Sequence, residues 1–115
     1  MRTEFLFSEI YAHPPSFMGQ YADLKATLVV RDSECFLVPN LRSLDAFARV
    51  EVFSPGLEAK LDARVGPRMG KPENYFDNVI IGGFLQSGST QRCLYSLSRL
   101  TKLVLFRDKR DYQII

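Results

Sequence analysis

Histidine and cysteine are scarce in this sequence, with one histidine and two cysteines among 115 residues. A structural zinc site takes about four Cys and His ligands, so the composition argues against one and we expect no metal. Cys35 and Cys93 do not form a C-x-x-C pair. We expect them to be buried free thiols in strands, with a single disulfide between them as the alternative.

Charge of one sign and long apolar runs are also missing. There are 15 basic and 13 acidic residues, and the net charge of +2 is too balanced to indicate a polyanionic partner. No stretch approaches the ~20 apolar residues of a membrane span. Glu4 and Glu9 interrupt the apolar run at the start of the chain, which therefore differs from a signal peptide. Unless a signal segment has been removed, we expect a cytoplasmic protein with no membrane partner.

No combination of residues typical of catalysis is present. His13 stands before two prolines in a turn, with no serine or cysteine at a spacing that would make it the base for a nucleophile. Cys35 follows Glu34, and a neighbouring carboxylate raises a thiol pKa, which opposes activation. The carboxylates are scattered and form no pair suited to acid–base work or metal binding. We expect a protein that is not an enzyme, with no catalytic residue and no cofactor.

One helix is predicted in the middle of the chain, over residues 55–65. Ser54 can cap its first turn, and Pro55 suits the first helical position. Leu57, Leu61 and Val65 recur every four residues and share one face. Gly66 supplies a left-handed end to the helix, and a proline follows it.

Alternating apolar residues predict strands on both sides of this helix. Over residues 21–30, apolar and polar positions alternate, so one face of the strand is buried and the other is wet. Gly82 and Gly83 indicate a bulge or sharp bend in a later strand. Residues 107–115 are expected to be a solvated tail, because their charges alternate in sign. The predicted strands are 5–11, 21–30, 35–38, 46–53, 75–85, 93–97 and 100–106, and the last either continues 93–97 or bends into a further strand.

This order of elements resembles the OB-fold, a five-stranded Greek-key barrel. In that fold one helix lies between strands 3 and 4, as the predicted helix 55–65 does. The likeness covers residues 5–106 and implies a mainly β, OB-like barrel. We expect one domain, residues 1–115, with residues 1–20 as a lead-in segment. The stretches GQYADLKATLVV, FLVP, SPGLEAKL and DNVIIGGFL are also similar to small stand-alone bacterial proteins, some of which resemble immunity proteins paired with secreted toxins.

The most suggestive candidate site is the loop after the helix. It superficially resembles a phosphate-binding loop, but its glycines are one residue too close and it follows a helix instead of opening one. Arg64, Arg68 and Lys71 fall together with no acid between them, and Tyr75 and Phe76 follow. Cations beside aromatic rings are what single-strand binders use. The alternative is that the aromatic residues begin a strand and the basic residues are solvated.

Two functions remain open at this point. The first is a non-enzymatic module that binds a protein partner, because aromatic residues and arginine are typical anchors of interfaces. The second is a single-stranded nucleic-acid binder that uses Arg64, Arg68, Lys71 and Tyr75. The protein partner is favoured, because the net charge is small. The aromatic residues expected on an outer face or rim are Tyr21, Phe47, Phe53, Tyr75 and Phe76.

Overall fold

A computed structural model describes residues 4–12, 19–42, 48–88, 93 and 95–115. Most of the regular structure in these residues is β-strand. The elements are β1 (Glu4–Leu6), α1 (Phe7–Ala12), β2 (Tyr21–Arg31), β3 (Glu34–Val38), β4 (Val50–Val52), α2 (Leu57–Arg64), β5 (Tyr75–Ser87), β6 (Tyr95–Arg107) and β7 (Arg110–Gln113).

Five of the strands form a closed barrel. Around it, β2 pairs with β3, β3 with β4, β4 with β6, β6 with β5, and β5 with β2 again. The β4–β6 pair is parallel, and the other four pairs are antiparallel. α2 connects the third barrel strand, β4, to the fourth, β5. The predicted fold, a mainly β, OB-like barrel with one helix between strands 3 and 4, is confirmed.

The predicted alternation in β2 fills the barrel interior. Its inward residues are all buried, and they pack with inward residues of β5 and β6 in one apolar core. β2 pairs along one edge with β5 over residues 21–30 and along the other with β1 and then β3. The inward residues of β2 are Ala22, Leu24, Ala26, Leu28 and Val30.

The two helices lie at opposite ends of the barrel. Tyr95, opposite Ser87 at the end of β5, donates a hydrogen bond from its hydroxyl to the carbonyl of Ile10 in α1 at 3.1 Å. At the other end, Tyr75 begins β5 and donates from its hydroxyl to Asp62 of α2. In the part of the chain that the structure describes, no helix has the length and apolar character needed to cross a membrane.

α2 is shorter than the predicted helix 55–65, and the predicted cap is wrong. Gly56 precedes the first turn with a positive φ of 81°, and no side chain caps it. Ser54 contributes its backbone carbonyl, which accepts a hydrogen bond from Leu57 N–H at 3.1 Å. The left-handed Gly56 separates Ser54 from the helix, so its hydroxyl cannot act as predicted. The predicted end is confirmed, because Gly66 has φ 97° and its N–H reaches the carbonyl of Leu61.

The predicted strand 5–11 is wrong after its second residue. β1 ends at Leu6, and residues 7–12 form α1. The carboxylate of Glu9 accepts a hydrogen bond from Leu6 N–H at 3.1 Å, which is one half of a capping box. Phe7 and Ile10 are buried, and their spacing of three residues suits one face of a helix.

The predicted solvated tail, residues 107–115, is also wrong. Arg107 ends β6, and Asp108 and Lys109 form a turn with φ values of 53° and 64°. β7 then pairs with β6, and Ile114 beyond it is buried. The positive φ values are those of a two-residue hairpin turn. Most side chains of residues 108–113 are exposed, so the charge pattern predicted their exposure and missed their pairing.

The remaining strand predictions are confirmed in part. The strand predicted over 46–53 is the shorter β4, while Ala46 and Phe47 lie outside the described residues. Residues 95–97 and 100–106 of the two predicted pieces belong to one strand, β6, and residues 99–101 form a bulge in it. This bulge lies opposite Gly83, so the irregularity predicted at Gly82 and Gly83 is confirmed.

Candidate functional site

The predicted basic loop lies between α2 and β5, and its three cations have different surroundings. Arg64 at the end of α2 and Lys71 in the loop are exposed. Arg68 is partly covered and pairs with Asp77 at 2.7 Å. Two of the three predicted cations therefore face solvent, and the third is held by a carboxylate.

The aromatic residues after the loop are not displayed as predicted. Tyr75 is fully buried, so the expectation that its ring lines a binding rim is wrong. It occupies an inward position of β5, and its hydroxyl donates to Oδ1 of Asp62 at 2.6 Å. Burial and the hydrogen bond to Asp62 raise the pKa of Tyr75. Phe76 points outward but is half-buried against the apolar cluster of Val29, Phe36 and Val38.

Asp77 lies at the centre of a charged cluster that the sequence analysis missed. Its carboxylate is almost completely buried. Arg107 donates from Nε to Oδ1 at 3.0 Å and from Nη2 to Oδ2 at 2.8 Å, which makes a bidentate pair. Arg68 donates from Nη2 to Oδ1 at 2.7 Å. These three residues are called the Asp77 cluster below. The sequence does contain an indication of this cluster. The alternation in β5 assigns Asp77 to an inward position, where a carboxylate needs a partner.

The Asp77 cluster fastens the basic loop to the end of the barrel. Arg107 Nη1 donates to the carbonyl of Gly66 at 2.8 Å, where the loop begins. Burial raises the pKa of Asp77, but hydrogen bonds from Arg107 and Arg68 outweigh this effect and the pKa is lowered overall. Because both guanidinium groups are bound to the one buried carboxylate, we assign the cluster a structural role.

The two cysteines do not form a disulfide, which excludes that alternative. Both are half-buried. Burial raises the pKa of the Cys35 thiol to about 12, with a smaller contribution from Glu58. The predicted direction was right, but the carboxylate is that of Glu58 on α2 and not Glu34. His13 lies outside the described residues, and within them no group of three or more His, Cys, Asp and Glu side chains could hold a metal ion.

On the outer face of β3, Phe36 is covered by cations. The guanidinium carbon of Arg49 lies 4.1 Å from the centroid of its ring, and that of Arg31 lies 5.5 Å away. Phe36 and Arg49 are both buried. Arg49 is not exposed to solvent, because its guanidinium stacks on the Phe36 ring.

Two neighbouring hollows on the outer face of the barrel bring together three exposed large apolar residues. One has a volume of about 440 Å³ and the other about 290 Å³, and Asn78 lines both. Leu6 is 56% exposed, Leu41 48% and Phe106 40%. We call this surface the outer groove. Its lining residues are Leu6, Lys25, Ala26, Pro39, Asn40, Leu41, Arg42, Asn78, Ile80 and Phe106.

Strand register assembles the outer groove from distant parts of the chain. Leu6 of β1 lies beside Lys25 of β2, and Lys25 lies beside Ile80 of β5. In the next row, Asn78 of β5 lies beside Phe106 of β6. The sequence analysis missed this surface because it treated Leu6 as part of a lead-in segment and Phe106 as the last residue before a tail.

The other aromatic residues expected at a rim differ in exposure. Phe53 is 63% exposed at the end of β4. Tyr21 is half-buried, and its hydroxyl donates to Asp23 at 2.6 Å and accepts from Thr101 at 2.9 Å. Phe47 lies outside the described residues.

No protein-family model, no curated protein and no solved structure matches this chain. The site is therefore interpreted from its geometry alone.

Proposed function

We propose that the chain is a non-enzymatic binding module that takes a protein partner through the outer groove. The observation that carries the proposal is a pair of neighbouring hollows that share Asn78: the exposed Leu6 and Phe106 line the larger one, and the exposed Leu41 lines the smaller one. Large exposed apolar patches on small proteins mark interaction sites. Arg42 and Lys25 at the same surface supply the polar surround that a protein interface has around its apolar centre.

We further propose that the chain is a divergent member of the OB-fold superfamily and acts in the cytoplasm. The order of strand pairings around the barrel and the parallel pairing of β4 with β6 support membership of the OB-fold superfamily. The likeness of SPGLEAKL and DNVIIGGFL to immunity-like proteins supports one form of the proposed function, in which the partner is a toxin.

A single-stranded nucleic-acid binder is the second candidate, favoured by the exposed cations Arg64 and Lys71. The stacking surface that such a binder needs is weaker than expected, because Tyr75 is buried in the core. The outer face of the second and third barrel strands is used for this purpose by OB-folds. Here that face carries Phe36, whose ring is covered by Arg49.

The proposal is tested by quantitative capture of proteins from host-cell lysate on the immobilised chain. We expect a partner that wild type retains and Phe106→Ser loses, because the substitution removes an apolar anchor of the groove. Phe53→Ser is the matched control, since Phe53 is at least as exposed but lies outside the groove. Circular dichroism and thermal melting check that each variant is folded.

Two outcomes would contradict the proposal. A partner lost with Phe53→Ser and kept with Phe106→Ser would move the interface away from the groove. Binding of a single-stranded oligonucleotide at ~50 mM salt, with affinity falling linearly with log salt, would favour the second candidate. That binding should then be lost with Arg64→Glu or Lys71→Glu.

A further inference from the structure

Among the described residues, the charged side chains that line the outer groove are all of one sign. Lys25 lines the larger hollow and Arg42 the smaller one, and no carboxylate of the described residues lines either. Lys25 is exposed and lies between two apolar neighbours, Leu6 on β1 and Ile80 on β5. A cation set within an apolar row favours a ligand that brings both an apolar side chain and a negative charge.

Among the described residues, carboxylates lie close to the outer groove but line neither hollow. Glu9 of α1 accepts a hydrogen bond from Leu6 N–H at 3.1 Å. Asp23, two residues before Lys25, accepts a hydrogen bond from the Tyr21 hydroxyl at 2.6 Å. Asp111 lies beside Phe106 on β7. It is three strands away from β2, or roughly 14 Å along the sheet at the usual strand spacing. The positive side of the groove therefore lies at β2 and at residue 42.

The dimensions of the groove fit an extended segment. From Leu6 on β1 to Phe106 on β6 the surface crosses three strand spacings, again roughly 14 Å. An extended peptide covers that distance with about four residues, since it rises ~3.3 Å per residue. The larger hollow is open to solvent and has a volume of about 440 Å³, so a side chain of a segment lying across it can enter.

We infer that the outer groove binds an extended acidic segment of the partner protein, with an apolar side chain in the larger hollow and carboxylates facing Lys25 and Arg42. This inference rests on the proposed function and specifies the chemistry of the partner. The apolar contact supplies most of the affinity, and the charges select the sequence.

Selection from a random twelve-residue peptide phage library tests the inference. The library is selected on wild-type protein after depletion on Phe106→Ser, so that retained peptides depend on the groove. We expect the enriched peptides to be acidic and to carry a large apolar residue. Synthetic copies are then measured by fluorescence anisotropy against wild type and variants.

In that measurement, Phe106→Ser should weaken binding about tenfold or more. Lys25→Glu should weaken it about fivefold or more, because it replaces attraction by repulsion. Lys60→Glu is the charge control, since Lys60 is exposed on α2 away from the groove, and it should leave the affinity unchanged. Raised salt should weaken the binding of wild type and have less effect on Lys25→Glu.

The outcomes separate this inference from the proposed function. Peptides that depend on Phe106 but are neutral or basic, or bind Lys25→Glu as well as wild type, overturn the inference and leave the function standing. Displacement of the peptide by single-stranded oligothymidylate overturns it in favour of nucleic acid. A selection with no Phe106-dependent peptide also overturns it, and the lysate capture then decides the function separately. Lys25→Gln repeats the charge test if Lys25→Glu fails to fold.

Discussion

At the scale of single residues, Asp77 carries a buried charge that two arginines share. Asp77→Asn leaves Arg107, whose side chain is 13% exposed, without its counter-charge. We expect the free energy of unfolding to fall by about 3 kcal/mol, the lower end for a broken buried pair because Arg68 is partly exposed. Urea unfolding followed by circular dichroism measures this. Asp111→Asn, at an exposed position on β7, is the control and should change stability by less than about 0.5 kcal/mol.

The same variant has a defined pH dependence. The pKa of Asp77 is lowered in the folded protein, so its contribution is complete above the unfolded value of about 3.9 and is lost as pH falls through the folded pKa. The stability gap between wild type and Asp77→Asn should therefore be constant near neutrality and shrink in acid. A gap that keeps its size down to strongly acidic pH would show that Asp77 acts through its shape and not its charge.

Cys35 offers a second test at this scale. Because burial raises its pKa to about 12, little thiolate exists under ordinary conditions. At about pH 8, alkylation of Cys35 by iodoacetamide should be on the order of a hundredfold slower than that of a free cysteine. Mass spectrometry of Cys93→Ser, which leaves only this thiol, measures the rate. The same protein in concentrated urea should react at the free rate, and rapid alkylation of the folded protein would contradict the assigned burial.

At the scale of elements, the two central glycines of β5 have different roles. A Cβ on Gly83 would stand 2.6 Å from the backbone carbonyl oxygen of Ser98, which lies next to the β6 bulge and cannot move aside easily. A Cβ on Gly82 would contact the ends of the Tyr21 and Asp23 side chains, and these flexible side chains can move aside. We expect Gly83→Ala to lower stability by about 3 kcal/mol and Gly82→Ala by about 1 kcal/mol. Thermal melts of the two variants compare them, and the reverse order would contradict this account of the bulge.

The length of an element decided how well the sequence predicted it. β2 and β5 alternate over enough residues for period two to be read directly, and their predicted bounds agree closely with the structure. β1 has three residues and α1 six, which is too short for either period to appear. β7 is stabilised by pairing with β6, and no property of its own charged residues indicates that pairing.

The candidate site was less predictable than the fold, for a related reason. Alternation assigns Asp77 to the inside of the barrel, but its partner Arg107 lies 30 residues away, and register alone brings the two together. The outer groove likewise joins Leu6, Ile80 and Phe106 from three strands. Local patterns instead indicated the closely spaced cations of the loop as the site. One of these cations, Arg68, has a structural role in the Asp77 cluster.

At the scale of the whole molecule, β2 is the most enclosed strand. It pairs along its length with β5, and its other edge pairs with β1 and β3. Its central amides should therefore exchange hydrogen only through global unfolding. Native-state hydrogen exchange by NMR should show the slowest rates at Leu24 to Val29 and much faster rates in β7, which in the described residues pairs with β6 alone. Equal protection in both strands would contradict this ranking.

The pairing of β2 with β5 also governs how the chain can fold as it is made. Thr27 bonds to Asn78, 51 residues later. At a synthesis rate of roughly 5–20 residues per second, the second strand emerges roughly 3–10 s after the first. During that interval β2 and β3 can form their hairpin, but the edge that β5 will occupy has no partner and the apolar row from Ala22 to Val30 has no core to enter. During synthesis, the strand with the clearest alternation therefore exposes both an unpaired edge and an apolar face. A chaperone that binds apolar segments would bind the nascent chain at β2.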